Sequence, residues 1–196
     1  MIVGLTGQSG AGKSTVAALF AEAGFRIIDC DALVHTLYGE SRYVHKIAEV
    51  FGKEYVKDGA VDRKKLGTLV FSDKKELARL NETVHPLILA AVLAEIDRAR
   101  LDGINAILDA PLLFEYDLET MCDATLGVVC DMETAERRLS ARDGKSLAEI
   151  RGRLSAQHDA SYFRAHCDYI LENNEDAATL KREFLTVLDA LTAKID

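Results

Sequence analysis

Apolar residues along the chain fall into two rhythms. Short, nearly unbroken runs recur at "MIVGLTG" (1–7), "FRIIDCD" (25–31), "NAILDA" (105–110), "ATLGVVCD" (124–131) and "DYILEN" (168–173), each the length of a buried strand. Between them the spacing stretches to the helical period. Val16, Leu19 and Phe20 mark a helix over 13–23 that Gly24 stops as a C-cap residue. Residues 43–51 read as helix, and an Asp-Gly turn opens the segment 57–65. Three helical stretches follow over 63–71, 73–85 and 87–100, with Pro86 where the first turn of a helix tolerates it. Another spans 133–142, and Ser146 with Glu149 forms a capping box opening one that runs to about residue 157. The last helix carries Leu180, Phe184, Val187, Leu188, Leu191 and Ile195 on one face.

Strand, helix and strand within some thirty residues make a βαβ unit, and such units build parallel sheets. The pattern therefore predicts an α/β fold: one domain over 1–196, a five-stranded parallel sheet with helices on both faces, a helical insert near 41–103 and another near 140–165. Composition adds exclusions. The net charge of −8 argues against a general nucleic-acid or membrane-surface binder. No apolar run approaches the roughly 18 residues that span a bilayer, and no basic segment precedes the first strand. Cys30, Cys122, Cys130 and Cys167 form no C-x-x-C pair, so reduced, mostly buried thiols in a cytoplasmic protein are expected.

The chemistry is concentrated at the first strand–helix turn. Gly7-Gln-Ser-Gly-Ala-Gly-Lys13-Ser14 matches G-x-x-x-x-G-K-[ST] in full, after a strand and before a helix. Its glycines let the N–H groups of Gly10, Ala11, Gly12, Lys13, Ser14 and Thr15 converge on nucleotide phosphates at the positive end of the helix. Lys13 supplies a point charge for the β- and γ-phosphates, and the Ser14 hydroxyl a ligand for Mg²⁺. A GTPase switch would add D-x-x-G and N-K-x-D, which are absent from the chain. A polymer-tracking motor fits poorly with so short and acidic a chain. A small-molecule kinase fits the length, and a nucleotide-dependent module that binds a protein partner stays open.

A kinase needs a group beside the acceptor hydroxyl and cations over the migrating phosphoryl. Asp31 closes the second strand and either does this work or caps the helix that follows. With one strand between them, the first two strand ends would lie about 10 Å apart. Arg137, Arg138, Arg142, Lys145, Arg151 and Arg153 are a candidate lid, or else a solvated face paired to Asp143 and Glu149. Asp109 ends the "AILD" strand, where a carboxylate either holds Mg²⁺ or its water or has a purely structural partner. His85 stands at a helix end before Pro86, where a histidine is more often a cap or packed residue than a ligand.

Taken together, these pieces resemble the dephospho-CoA kinase family. The resemblance rests on "VGLTG…GAGKSTV" (3–16), "IIDCDALVH" (27–35), "DGAVDRKKLGTLVFSD" (58–73), "LARLNETVHPLI" (77–88), "LDAPLLFE" (108–115), Arg138 and Arg142, "SAQ" (155–157) and "CDYILENN" (167–174). It implies transfer of the ATP γ-phosphoryl to the ribose 3′-hydroxyl of dephospho-CoA, with Mg²⁺. A helical acceptor domain and a lid accompany the core. The resemblance also implies Asp31 as base, Lys13, Arg138 and Arg142 around the transferring group, and Asn174 at the nucleotide. Arg63, His85, Pro111, Leu113 and Glu115 then meet the acceptor.

Overall fold

A computed structural model of the chain describes residues 1–193. In chain order the elements are β1 Ile2–Gly7, α1 Lys13–Glu22, β2 Arg26–Asp29, α2 Cys30–Leu37, α3 Ser41–Val50, β3 Val56–Lys57, β4 Ala60–Val61 and α4 Arg63–Ser72. Then come α5 Lys74–Leu101, β5 Ala106–Asp109, β6 Ala124–Val129, α6 Met132–Asp143, α7 Leu147–Ser155, α8 Ala160–His166, β7 Tyr169–Glu172 and α9 Ala177–Thr192. By its internal packing the chain divides into two compact units, one over Ile28–Arg98 and the other formed by Met1–Ile27 with the chain from Ala99 onward.

The five long runs pair as expected, in the order β2-β5-β1-β6-β7. Strand β1 is flanked by parallel neighbours, with Leu5 opposite both Asp109 and Leu126. One strand, β5, does separate β1 from β2. Val3, Leu5 and Leu126 are fully buried and share a core with Val16 and Phe20 of α1. The Phe20 ring meets Phe184 of α9 edge-on, the centroids 4.7 Å apart, so α1 and α9 are locked together by the face read from the sequence. Ile195 of that face lies outside the described residues.

Four local expectations change. Strand β2 stops at Asp29, and Cys30 already begins α2; Asp29, not Asp31, is the N-cap, its carboxylate accepting from Ala32 N at 2.9 Å. Asp31 is free of capping and sits in the first turn. The Asp58-Gly59 turn joins a hairpin, Val56 opposite Val61, and both turn residues have positive φ (51° and 79°), the signature of a tight two-residue loop. Two-residue strands are too short to show alternation.

The stretches 73–85 and 87–100 are one 28-residue helix, α5, with Pro86 inside it, so His85 is half-buried in mid-helix, not at an end. Proline removes a hydrogen bond there, but the apolar stripe Leu77, Leu80, Val84, Leu87, Ile88 and Ala91 runs through it into the core of the Ile28–Arg98 unit, and that packing carries the helix past the break. Though no unbroken apolar run is long enough, α5 matches a membrane span by length and by a mean hydropathy of 1.2 over 18 residues. Finally, α8 forms where no helix is expected, capped by Asp159 accepting from Tyr162 N at 3.0 Å.

None of the four cysteines is disulfide-bonded. Burial pushes the Cys122 thiol up to about 12, with Asp123 and Glu119 adding to it, and does the same at Cys167, where Asp168 adds to it. Since the thiolate is the reactive form, Ellman's reagent at pH 8 should modify these two at least about 100-fold more slowly in the folded protein than in urea.

Candidate active site

The turn from β1 into α1 keeps its shape because it is clamped from the side of β6 and β7. Gly7 crosses Val128 so closely that a Cβ would sit 2.2 Å from the Val128 carbonyl oxygen. Gln8 N donates to that same oxygen at 3.2 Å, and the Gln8 amide oxygen accepts from Cys130 N at 3.0 Å. Gly12, left-handed at φ 94°, is the N-cap of α1; a Cβ there would lie 2.5 Å from Asn173 Nδ2. Ala11 is fully buried, and its carbonyl accepts from Asn173 Nδ2 at 2.7 Å. No side chain caps α1, and the N–H groups of Gly12, Lys13 and Ser14 make no hydrogen bond among the described residues. Open donors at a helix N-terminus are an anion cradle.

Lys13 donates to and forms an ion pair with Asp109 at the end of β5, both side chains largely covered. Parallel register sets Asp109 beside Leu5, so its carboxylate lies next to the start of the loop. The hydroxyl-bearing Ser14 and Thr15 are exposed on the first turn of α1. Among the described residues no three His, Cys, Asp or Glu side chains gather as a ready-made metal site.

Asn173 is the residue that sequence reasoning missed. Of the Asn173-Asn174 pair after β7, the expected Asn174 instead accepts from Asp131 N at 2.7 Å. Asn173 is 6% exposed and bridges the loop to Arg138, which donates to its carbonyl (2.8 Å) and its amide oxygen (3.2 Å). Adjacent residues leave a strand on opposite sides, and only the register of β6 with β7, Val129 opposite Glu172, decides which asparagine faces the loop. Arg142 is not with Arg138: it is exposed and paired with Asp143 at 2.7 Å, and Arg153 joins the same carboxylate at 3.2 Å. The Arg142 hydrogen bond holds the Asp143 carboxyl below its usual range. Arg151 pairs with Glu136 (2.6 Å) instead of Glu149, which is occupied in the capping box.

Pro111 and Glu115 line a cavity of about 160 Å³ beside Gly7, Gln8 and Ser9. Leu113 does not face it: it is fully buried with its methyl groups over Gly4, and it shapes the strand end from below. In the Ile28–Arg98 unit, Asp31 and His35 lie one turn apart on α2, and Arg63 meets His35, its Nη1 2.6 Å from His35 Nδ1 and its guanidinium 4.6 Å above the Tyr38 ring. The Asp31 carboxylate is exposed and has no partner among the described residues.

Comparison with known proteins identifies this arrangement. The model of the dephospho-CoA kinase family matches residues 1–179. The chain belongs to the dephospho-CoA kinase family. It is 35% identical over 194 residues to the dephospho-CoA kinase of Latilactobacillus sakei, covering 98% of this chain and 96% of that one. It is 34% identical over 190 residues to that of Wolinella succinogenes, covering 96% and 94%. Among solved structures, the dephospho-CoA kinase from Campylobacter jejuni aligns at TM-score 0.66 and 23% identity, covering 96% of each chain. Shikimate kinase from Bacteroides thetaiotaomicron shares the fold, at TM-score 0.54 and 17% identity over 98% of each chain. As a dephospho-CoA kinase family member the chain is a P-loop kinase, and the clamp around its loop gives a test. Asn173→Ala removes the partner of a buried carbonyl and one of the two acceptors of Arg138, so it should lower the unfolding free energy by about 1–3 kcal/mol in urea titration and weaken ATP binding by calorimetry.

Proposed function

We propose that this kinase transfers the γ-phosphoryl group of ATP to the ribose 3′-hydroxyl of dephospho-CoA, releasing CoA and ADP, the last step of CoA synthesis. The observation that carries the reading is the family match over residues 1–179 of a chain whose loop has the donors and ammonium for the phosphates. The open N–H groups of the loop and Lys13 hold the β- and γ-phosphates, Lys13 exchanging its Asp109 partner for phosphate oxygens. The Ser14 hydroxyl and the Asp109 carboxylate are hard oxygen donors of the kind Mg²⁺ takes. Ser14 and Asp109 would hold the ion, which would supply positive charge against the charge that develops on the phosphates.

In the transfer, the acceptor oxygen forms a bond to the γ-phosphorus while the bond to the β–γ bridging oxygen breaks and ADP leaves. Asp31 orients the acceptor hydroxyl and takes its proton. Arg138, held by Asn173, and Arg142, released from Asp143, cover the transferring oxygens. Arg63, His85, Pro111 and Glu115 contact the acceptor, with Leu113 shaping the segment between them. The helical insert near 41–103 serves the acceptor and the segment 140–165 acts as lid. The protein works in the cytoplasm on free small molecules, not on nucleic acid or at a membrane, in keeping with its net charge of −8 and the packing of the apolar stripe of α5 into a protein core.

Asp31→Asn keeps the shape of the side chain and removes its basicity. It should leave ATP affinity unchanged and lower kcat by at least about tenfold, since a proton-transfer group contributes about 10²–10⁴-fold. Coupled ADP release with dephospho-CoA as acceptor, checked by product mass, reads the result; wild-type turnover in the variant would remove Asp31 from the mechanism. Turnover with a nucleoside or another metabolite alone would reassign the acceptor.

A further inference from the structure

The cavity beside the loop has a wall that neither the motif nor the resemblance includes. His158, just before α8, lies 3.3 Å through Nε2 from one Glu115 carboxylate oxygen; the other oxygen has no partner among the described residues. The imidazole is stacked on Tyr162 with centroids 3.5 Å apart and planes 7° from parallel, and Tyr162 stacks in turn on His166 at 4.0 Å. His166 Nδ1 is 2.8 Å from the Tyr162 carbonyl oxygen, and Phe114 abuts Tyr162 and His166 from the side. Three rings in register at four-residue spacing hold the imidazole plane, and the imidazole holds Glu115. With side chains 42% and 36% accessible, the His158–Glu115 contact itself adds little to folding.

The cavity of about 160 Å³ has the size that takes a single ring, not a whole nucleotide. Its inner edge is Gly7–Ser9, and Pro111 lies two residues beyond the carboxylate that pairs with Lys13, so it abuts the end of the site where the phosphoryl group is handed over. The ring that must come to that end is the acceptor's ribose, which carries a 2′-hydroxyl beside the reacting 3′-hydroxyl. We infer that His158 is a positioning residue: it fixes Glu115 so that the free carboxylate oxygen accepts from the 2′-hydroxyl of the acceptor ribose and sets the neighbouring 3′-hydroxyl toward the phosphates. This rests on the dephospho-CoA reading of the site.

The test compares wild type, His158→Phe, His158→Gln and Glu115→Leu by steady-state kinetics, with dephospho-CoA and with its 2′-deoxyribose analogue. Phenylalanine keeps the stacked ring and loses the nitrogen that meets Glu115; glutamine restores a donor. Wild type should prefer dephospho-CoA over the deoxy analogue by about tenfold in kcat/KM, the scale of one hydrogen bond to a charged group. His158→Phe and Glu115→Leu should each raise KM for dephospho-CoA by a similar factor, abolish the preference and leave KM for ATP in place. The double variant should be no worse than either alone, and His158→Gln should recover part of the loss. Wild-type kinetics in His158→Phe, or a preference that survives in Glu115→Leu, would overturn the inference while leaving the proposed function standing. Wild type inactive with dephospho-CoA would instead overturn the proposed function.

Discussion

A phosphate-binding loop is a piece of backbone whose donors are deliberately left unsatisfied, and it keeps its shape only if everything else about it is tied down. Here the ties come from one side. Val128 crowds Gly7 and accepts from Gln8, Cys130 bonds the Gln8 side chain, and Asn173 reaches in to the Ala11 carbonyl. The Gln8, Ala11 and Gly12 carbonyls accept from protein donors, while the N–H groups of Gly12, Lys13 and Ser14 make no hydrogen bond among the described residues. Buried polar groups that lose their partner cost more than a surface bond returns, so the arrangement is rigid at its base and open at its rim. Asn173 belongs to both halves of this design, since it supports the loop and fixes the guanidinium of Arg138.

Electrostatics follow the same division. The chain is net acidic by 8 charges yet handles polyanions, and four of the cations in its loop and lid keep a carboxylate close by: Lys13 with Asp109, Arg142 and Arg153 with Asp143, Arg151 with Glu136. In the arginine pairs the guanidinium side chains are exposed to solvent, where screening weakens the attraction and phosphate oxygens can compete for them. Arg138 differs. Its two bonds go to neutral oxygens of Asn173, which fix its direction without cancelling its charge.

Much of the architecture was legible from periodicity. The five apolar runs became the five strands, and Ser146 with Glu149 formed the capping box in full. Departures arose where a local signal competed with packing. Pro86 reads as a boundary, but the stripe on either side of it belongs to one core, and α5 continues. Asp29 and Asp31 are equivalent as letters, two carboxylates before a helix; where β2 ends makes the first a cap and leaves the second exposed. Leu113 sits in a motif with Pro111 and Glu115, yet turns under Gly4 into the core.

By itself the sequence determined the fold class, the phosphate loop and the family, because each depends on spacing along the chain: glycines where a backbone must turn, a lysine one residue past the last of them, apolar residues at strand or helix period. What lies opposite what was decided only by the tertiary structure. That Asn173 faces the loop and Asn174 does not, that Arg138 is anchored and Arg142 is exposed, and that a ring ladder from α8 stands against Glu115 all depend on strand register and on contacts between residues far apart in the chain. Periodicity assigns a side chain to a face; only the neighbouring element, packed at a particular register, supplies its partner.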